Sequence, residues 1–459
     1  MIRYHARWVV PVTAPAIRDG TVVVDGRTIE WVGPRSEAPA GRDVDLGEAI
    51  LCPGLVNTHC HLELTVMRGF LEGLGFRDWI LRLTTGKRAV LSRDDLLDSA
   101  RLGVMEGIRS GITTYADTCD SGVAFDAMLE AGVRGIMFQE VFGPDPAQRD
   151  ASMAELRAKV DLLLPRATGL VRLGVSPHAP YTVSDPLFTA VAEYAVEQEL
   201  PVAVHIAESE AESDLVARAG GLFADGLRRR GIALSPRGRS PIDLLHRTGL
   251  LAVRPLLIHA VRADDADIAL VRAHDAAIAH CPVSNAKLGH GIAPLLAWRD
   301  AGIRVGLGSD SVASNNRMDL LAEAHAATLM QSAARRTADV LRAHEALDLA
   351  TIGGARALGL ADRIGSLEAG KDADLAAFAL NGGSALPVQE PESALVHSLR
   401  SSDAILTVVA GTPLLQHGQV VRGDQGVTRR VSAAAVRLAG WLLDAGGSGD
   451  PLPPASPTR

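Results

Sequence analysis

The chain has 459 residues, 47% of them hydrophobic and 22% charged, and a formal net charge of −8. That length holds one large barrel with accessory pieces, or two to three ordinary domains of roughly 150 residues. The acidic balance does not suit a polyanion, so no nucleic-acid partner is expected. No membrane contact is expected either, because no stretch approaches the ~18 uninterrupted apolar residues of a membrane helix. The opening "MIRYHARWVVPVTAP" has no apolar centre long enough for a signal peptide, and a cytoplasmic protein is the expectation.

The first fifty residues are β-rich. "TVVVDGRTIEWVG" contains two strand-forming runs joined by Asp25-Gly26, the pair favoured in a two-residue type I′ hairpin. From about Leu51 short apolar runs alternate with amphipathic segments. "SRDDLLDSARLGVMEGIRSG" predicts a helix with Ser92 as N-cap, Leu97, Ala100, Val104 and Ile108 on one stripe, and Gly111 at its end. Counting "AILCPGLVNTH" as the first, eight strands follow; the others are "ITTYADT", "RGIMFQEVFG", "LVRLGVSPHAP", "LPVAVHIAES", "RPLLIHAV", "AAIAHCPVSN" and "IRVGLGSDS". Continuous apolar strands alternating with helices predict an α/β fold, a (β/α)8 barrel of TIM type. After about residue 365 β character returns, and "AILTVVAGTPLLQHGQVV" is a second hairpin. Residues 1–52 and 365–425 are expected to pair into a small β-sandwich beside a barrel of residues 53–364. "RRVSAAAVRLAGWLLDAG" predicts a final helix within 426–459, and "GSGDPLPPASPTR" is too rich in Gly, Pro and Ser to pack.

Cys52, Cys60, Cys119 and Cys281 show no C-x-x-C spacing, which argues against a thiolate zinc site or a redox pair. The same absence excludes the P-C-x-x-C signature of cytidine-type deaminases. Chemistry in such barrels sits at strand ends, and the polar residues fall there: His59, His61, Glu140, His178, His205 with Glu208, His259, His280 and Asp310. In "NTHCHLELTVMRG", His59 and His61 stand at i and i+2 and so share one face of an ending strand. Joined by His205 and Asp310, they form a three-imidazole, one-carboxylate set that suits zinc, iron or manganese and leaves room for a water. On spacing alone Glu208 reads equally as a proton carrier or as a solvated loop carboxylate beside Glu210 and Glu212. Glu140 reads as a substrate contact or an arginine partner, and His280 as a pocket or a packing residue. His246, His274, His325, His344, His397 and His417 read as structural or exposed.

The motifs "PGLVNTHCH", "PHAPYTVS", "HIAES", "IHAV", "HCPVSNAKLGHGIAPL", "GLGSDSVASNN" and "IGSLEAGKDADLAAF" resemble the amidohydrolase superfamily. The likeness is to its cytosine-deaminase-like branch and covers about residues 1 to 425. That branch includes methylthioadenosine/S-adenosylhomocysteine deaminases, aminodeoxyfutalosine deaminases and s-triazine hydrolases. The resemblance implies a barrel with a split β-sandwich. It makes His59, His61, His205 and Asp310 ligands of one divalent ion, zinc with iron(II) as the alternative. Glu208 becomes the proton shuttle, His259 the group beside the attacking water, and His178 a substrate-binding residue with Glu140 nearby. Two-metal members carry a carboxylated lysine ending the fourth strand; here that strand ends in "SPHAP", and no lysine lies between Lys159 and Lys287. One metal follows. Where the methylthioadenosine/S-adenosylhomocysteine enzymes hold the ribose hydroxyls with a carboxylate, counting from Trp79 gives Arg88, which cannot accept hydrogen bonds from a diol. The expected activity is hydrolytic deamination of a small heterocycle, a 6-aminopurine nucleoside-like compound of adenosine or aminodeoxyfutalosine type. The rivals are a triazine amino- or chlorohydrolase and, from another class, a non-catalytic barrel scaffold. Homo-oligomer formation is left open.

Overall fold

The computed structural model describes residues 1–380, 385–421, 423–424 and 426–447. Eight parallel strands carry the centre: β1 (Leu55–Cys60), β2 (Ile112–Cys119), β3 (Arg134–Val141), β4 (Val171–Pro177), β5 (Ala203–Ile206), β6 (Leu256–His259), β7 (Ala277–His280) and β8 (Arg304–Leu307). Nearly every residue of these strands is buried, as strands covered on both faces must be. Their ladder is not continuous. β1 to β4 form one four-stranded sheet and β5 to β8 another. The halves meet through single parallel bridges at each seam, Val175 with Val202 and Cys60 with Asp310.

The expected first strand divides in two at Gly54. Ala49–Pro53 belongs to the sheet built from the chain ends, and only Leu55–Cys60 enters the central set. The reason is close packing, since a Cβ on Gly54 would lie 2.2 Å from the Thr113 side chain. The chain ends do pair, as one nine-stranded ladder rather than two separate sheets. Its centre is Ala49–Pro53, which takes Ile2–Val9 in parallel on one side and Leu375–Ala379 antiparallel on the other. The N-terminal hairpin turns one residue later than its sequence suggests. Asp25 pairs with Thr28, the loop is Gly26-Arg27, and only Gly26 has positive φ, the requirement of a II′ rather than a I′ turn. The second hairpin turns at Ala410-Gly411, both at positive φ.

The helix Arg93–Arg109 starts at Ser92, whose hydroxyl accepts the Asp95 N–H in a reciprocal capping box. Its buried stripe begins at Leu96; Leu97 is half-buried. The final helix, Val427–Gly447, packs Val427, Val431, Ala434 and Leu438 against Leu64, Met67, Trp79 and Leu83. The Gly/Pro/Ser-rich stretch from 448 onward lies outside the described residues. Among the described residues, no helix is long and apolar enough to cross a membrane.

One buried ion pair ties the terminal sheet to the central strands. Arg134, at the start of β3, donates to both carboxylate oxygens of Asp374 at 2.9 and 3.0 Å and to Asp372 at 2.9 Å. Both Arg134 and Asp374 are buried, so Arg134→Leu would strand a carboxylate in a dry contact. Stability is expected to fall by about 3–5 kcal/mol, read as an earlier urea midpoint; an unmoved midpoint would show that the pair does not hold the two parts together.

Candidate active site

His59 and His61 leave the end of β1 on one face, as their spacing demands. Their rings lie 4.8 Å apart, and His59 is 4.9 Å from the ring of His205, at the end of β5. Asp310, just beyond β8, places Oδ1 3.3 Å from His59 Nε2 and 3.6 Å from His61 Nε2. Side chains separated by up to 251 positions in the chain thus meet in two overlapping groups, His59, His61 and His205, and His59, His259 and Asp310, with the ligand atoms of each group within 4.8 Å of one another and His59 common to both.

The tautomers decide what that point can hold. His61 Nδ1 donates to the Thr118 carbonyl at 2.9 Å, and His205 Nδ1 donates to the His178 carbonyl at 3.1 Å. Burial pushes the His61 imidazole down to about 3 and His205 well below its ordinary range, so both are neutral. With the proton on Nδ1, each ring turns a bare Nε2 inward, and these two nitrogens face each other at 3.3 Å. Two lone pairs at that distance repel unless a cation lies beside both. Ligands ~2.1 Å from one ion in a tetrahedral set stand about 3.4 Å apart. Both ring nitrogens of His59 are buried without any hydrogen-bond partner, which is the state of a nitrogen waiting for a ligand bond. The donor set therefore fits a divalent ion.

Around that point stand further ionisable groups. Burial alone would raise the Asp310 carboxyl, but the neighbouring His59 and His259 hold it well below the carboxylate range. His259 donates Nδ1–H to Asn285 Oδ1 at 3.0 Å, which turns Nε2 toward Glu208 Oε1 at 3.6 Å and Asp310 Oδ2 at 3.9 Å. Glu208 is buried; burial pushes its carboxyl up, and the His259 and His290 imidazoles more than offset this, leaving it ionised. His178 and Glu140 face the same cleft, with His178 Nε2 4.0 Å from Glu140 Oε1. Burial raises the Glu140 carboxyl well above its usual range, and Oε1 has no partner. No arginine pairs with it among the described residues.

His280 sits edge-on to the buried Trp298, ring centroids 5.7 Å apart. Two of the distant histidine pairs meet at the surface, His246 with His274 and His325 with His397.

Residues 50–414 match the Amidohydrolase family. The chain belongs to the amidohydrolase family. This amidohydrolase is 32% identical over 421 residues to the 5-methylthioadenosine/S-adenosylhomocysteine deaminase of Moorella thermoacetica, an alignment covering 90% of this chain and 93% of that one. It is similar in structure to a zinc-bound adenosine deaminase from Xanthomonas campestris, with a TM-score of 0.83 at 28% identity over 96% of this chain and 98% of that one. A second similar structure is the zinc complex of atrazine chlorohydrolase from Arthrobacter aurescens, at TM-score 0.80 and 26% identity, covering 96% and 100% of the two chains.

Sequence reasoning passed over three groups in this amidohydrolase. Glu212, named only as a neighbour of Glu208, is fully buried, and its two oxygens accept the backbone N–H groups of Ala207 and Glu208 at 2.7 and 2.9 Å. Ala207 has φ +49°, and these bonds hold the strand-to-loop turn that aims Glu208. The only available signal was the i, i+4 spacing of the two glutamates. Glu63, two residues past His61, pairs with the part-buried Lys87 and accepts from Cys119 and Ser121; Arg88, by contrast, is exposed. The third is His290, 3.2 Å from Glu208.

A glutamine at position 212 has one carbonyl oxygen for two backbone donors. Glu212→Gln is expected to slow turnover by about 10- to 100-fold through misplacement of Glu208, with an unchanged circular dichroism spectrum. Turnover at the parental rate would show that the turn holds itself.

Proposed function

We propose that the chain is a metal-dependent hydrolytic deaminase of 6-aminopurine nucleoside-like compounds, releasing ammonia. The observation that carries the reading is the inward-facing, unprotonated Nε2 pair of His61 and His205, set beside two ionised carboxylates. The deaminase names of the relatives support the reaction class. We read the two four-stranded halves as one closed (β/α)8 barrel, residues 53–364, supported by the bridges at both seams. The four free, buried cysteines suit a reducing compartment such as the cytoplasm.

His59, His61, His205 and Asp310 would hold one divalent ion, zinc as in the similar structures or iron(II) in its place. Such an ion, when bound, would bring the pKa of a water down to about 7. Asp310 accepts the proton that the attacking water gives up, and His259, fixed by Asn285, holds that water toward the amino-bearing carbon. Glu208, ionised at the outset, takes the other proton of that water and delivers it to the adjacent ring nitrogen, then relays the proton held by Asp310 to the departing amine as the C–N bond breaks, so that water and the aminopurine become the oxo-purine and ammonia. His178 and the neutral Glu140 line the side where the heterocycle lies, Glu140 as a hydrogen-bond donor. The atrazine chlorohydrolase likeness keeps a triazine in view as a second substrate class, since a chloride or amine leaving group asks the same of these residues.

Incubation with adenosine, 5′-methylthioadenosine and S-adenosylhomocysteine is expected to release ammonia with loss of the aminopurine absorbance. No change across that purine panel, with turnover of a chlorotriazine, would transfer the assignment to the second class. Glu208→Gln is expected to keep its metal and lose turnover by about 10²- to 10⁴-fold, checked by metal analysis beside the ammonia assay; ordinary turnover in that variant would remove Glu208 from the mechanism.

A further inference from the structure

The segment "PVSNAKLGH", residues 282 to 290, enters the mechanism above only through Asn285, yet it reaches all three proton-handling groups. Ser284 Oγ donates to Asp310 Oδ2. Asn285 Oδ1 takes the Nδ1–H of His259 at 3.0 Å. His290 Nε2 lies 3.2 Å from Glu208 Oε1, a close approach without hydrogen-bond geometry, and has no hydrogen-bond partner among the described residues.

The position of His290 is built in. It stands between Gly289 at φ +75° and Gly291 at φ +104°, backbone conformations that L side chains rarely adopt, so this turn depends on its glycines. The His290 N–H closes the turn on the Asn285 carbonyl at 2.8 Å. The ring is buried, and the edge of Phe76 fixes it, with centroids 4.6 Å apart and planes at 88°. An orphaned, buried imidazole nitrogen is therefore held within 3.2 Å of one oxygen of Glu208, whose backbone N–H is in turn held by Glu212.

We propose that His290 is a positioning residue for Glu208, donating Nε2–H to Oε1 so that Oε2 is the oxygen presented to substrate. A glutamate's terminal torsion is broad and nearly two-fold, so a carboxylate held at neither oxygen turns freely. A donor fixed to one oxygen removes that freedom and makes the other the sole carrier of the proton. The inference rests on the reading of Glu208 as the shuttle.

The test uses the zinc-loaded full chain and three variants, His290→Phe, His290→Gln and Glu208→Gln. In a ¹⁵N-histidine side-chain NMR spectrum, the His290 resonances, assigned by their loss in H290F, are expected to show the Nε2–H tautomer and to shift in E208Q. Resonances unmoved by E208Q would overturn the contact, whatever substrate the enzyme takes. With adenosine and 5′-methylthioadenosine as probes, H290F is expected to lower kcat by about 10- to 100-fold, with KM changed less than about threefold and the metal retained. H290Q, whose amide restores a donor near Oε1, is expected to recover most of the loss. A fully active H290F beside an inactive E208Q would overturn this inference alone. An active E208Q would overturn the shuttle reading beneath it.

Discussion

Everything in the cleft follows from two imidazoles that face each other with their lone pairs. His61 and His205 spend their only protons on backbone carbonyls behind them, which leaves two Nε2 atoms 3.3 Å apart and nothing between them to share. A neutral protein does not build such a contact for stability. The carbonyls fix ring orientation and basicity in advance, which is how outer partners tune metal-binding histidines. Burial completes the arrangement by disfavouring the imidazolium that would otherwise quench the repulsion.

The strand ends hold this geometry at some cost. Ala207, His259, Ala260 and Asp310 all take positive φ, and each lies at or just past the end of β5, β6 or β8. Non-glycine residues in that region are strained, and the strain persists only where surrounding bonds over-determine it. Those bonds are identifiable. Glu212 pins the turn at Ala207, and the Asp310 N–H donates to the His59 carbonyl at 2.9 Å across the seam between the two half-sheets. The second bond is structural and chemical at once, because it sets two groups of the cleft side by side. The seam is thus held at the point where the histidines and Asp310 converge.

The strand positions and the convergence of polar residues at their ends were legible in the sequence, because period-2 geometry and apolar runs are local properties. His59 and His61 had to share a face whatever the rest of the chain did. What escaped was set by contacts between distant segments. Nothing near Gly54 announces that Thr113 packs against it, so the first strand could not be seen to divide. The Asp25-Gly26 pair carried a strong local turn signal, but strand register moved the turn on by one residue. Glu212 and Glu210 look alike in sequence; only the fold buries one of them against two N–H groups. His290 lay inside a quoted motif, yet its partner is 82 positions earlier in the chain.

The carboxyl groups around the cleft also sort by charge in a way that suits a doubly charged guest. Burial raises the Asp117, Glu140, Glu212 and Glu323 carboxyls, Glu212 to about 8. Glu63 is brought down to about 2, burial being outweighed by the Lys87 ammonium and by hydrogen bonds from Ser121 and Cys119, so that pair is neutral as a unit. Asp310 and Glu208 instead face the histidines with carboxyls held low by imidazoles against the effect of burial, and without a fixed counter-charge among the described residues. Two negative charges and one divalent cation sum to zero in a medium where an uncompensated ion would cost several kcal/mol. Burial and charge thus split the carboxyls of the cleft, and the two held low are the two to which proton exchange is assigned in the proposed reaction.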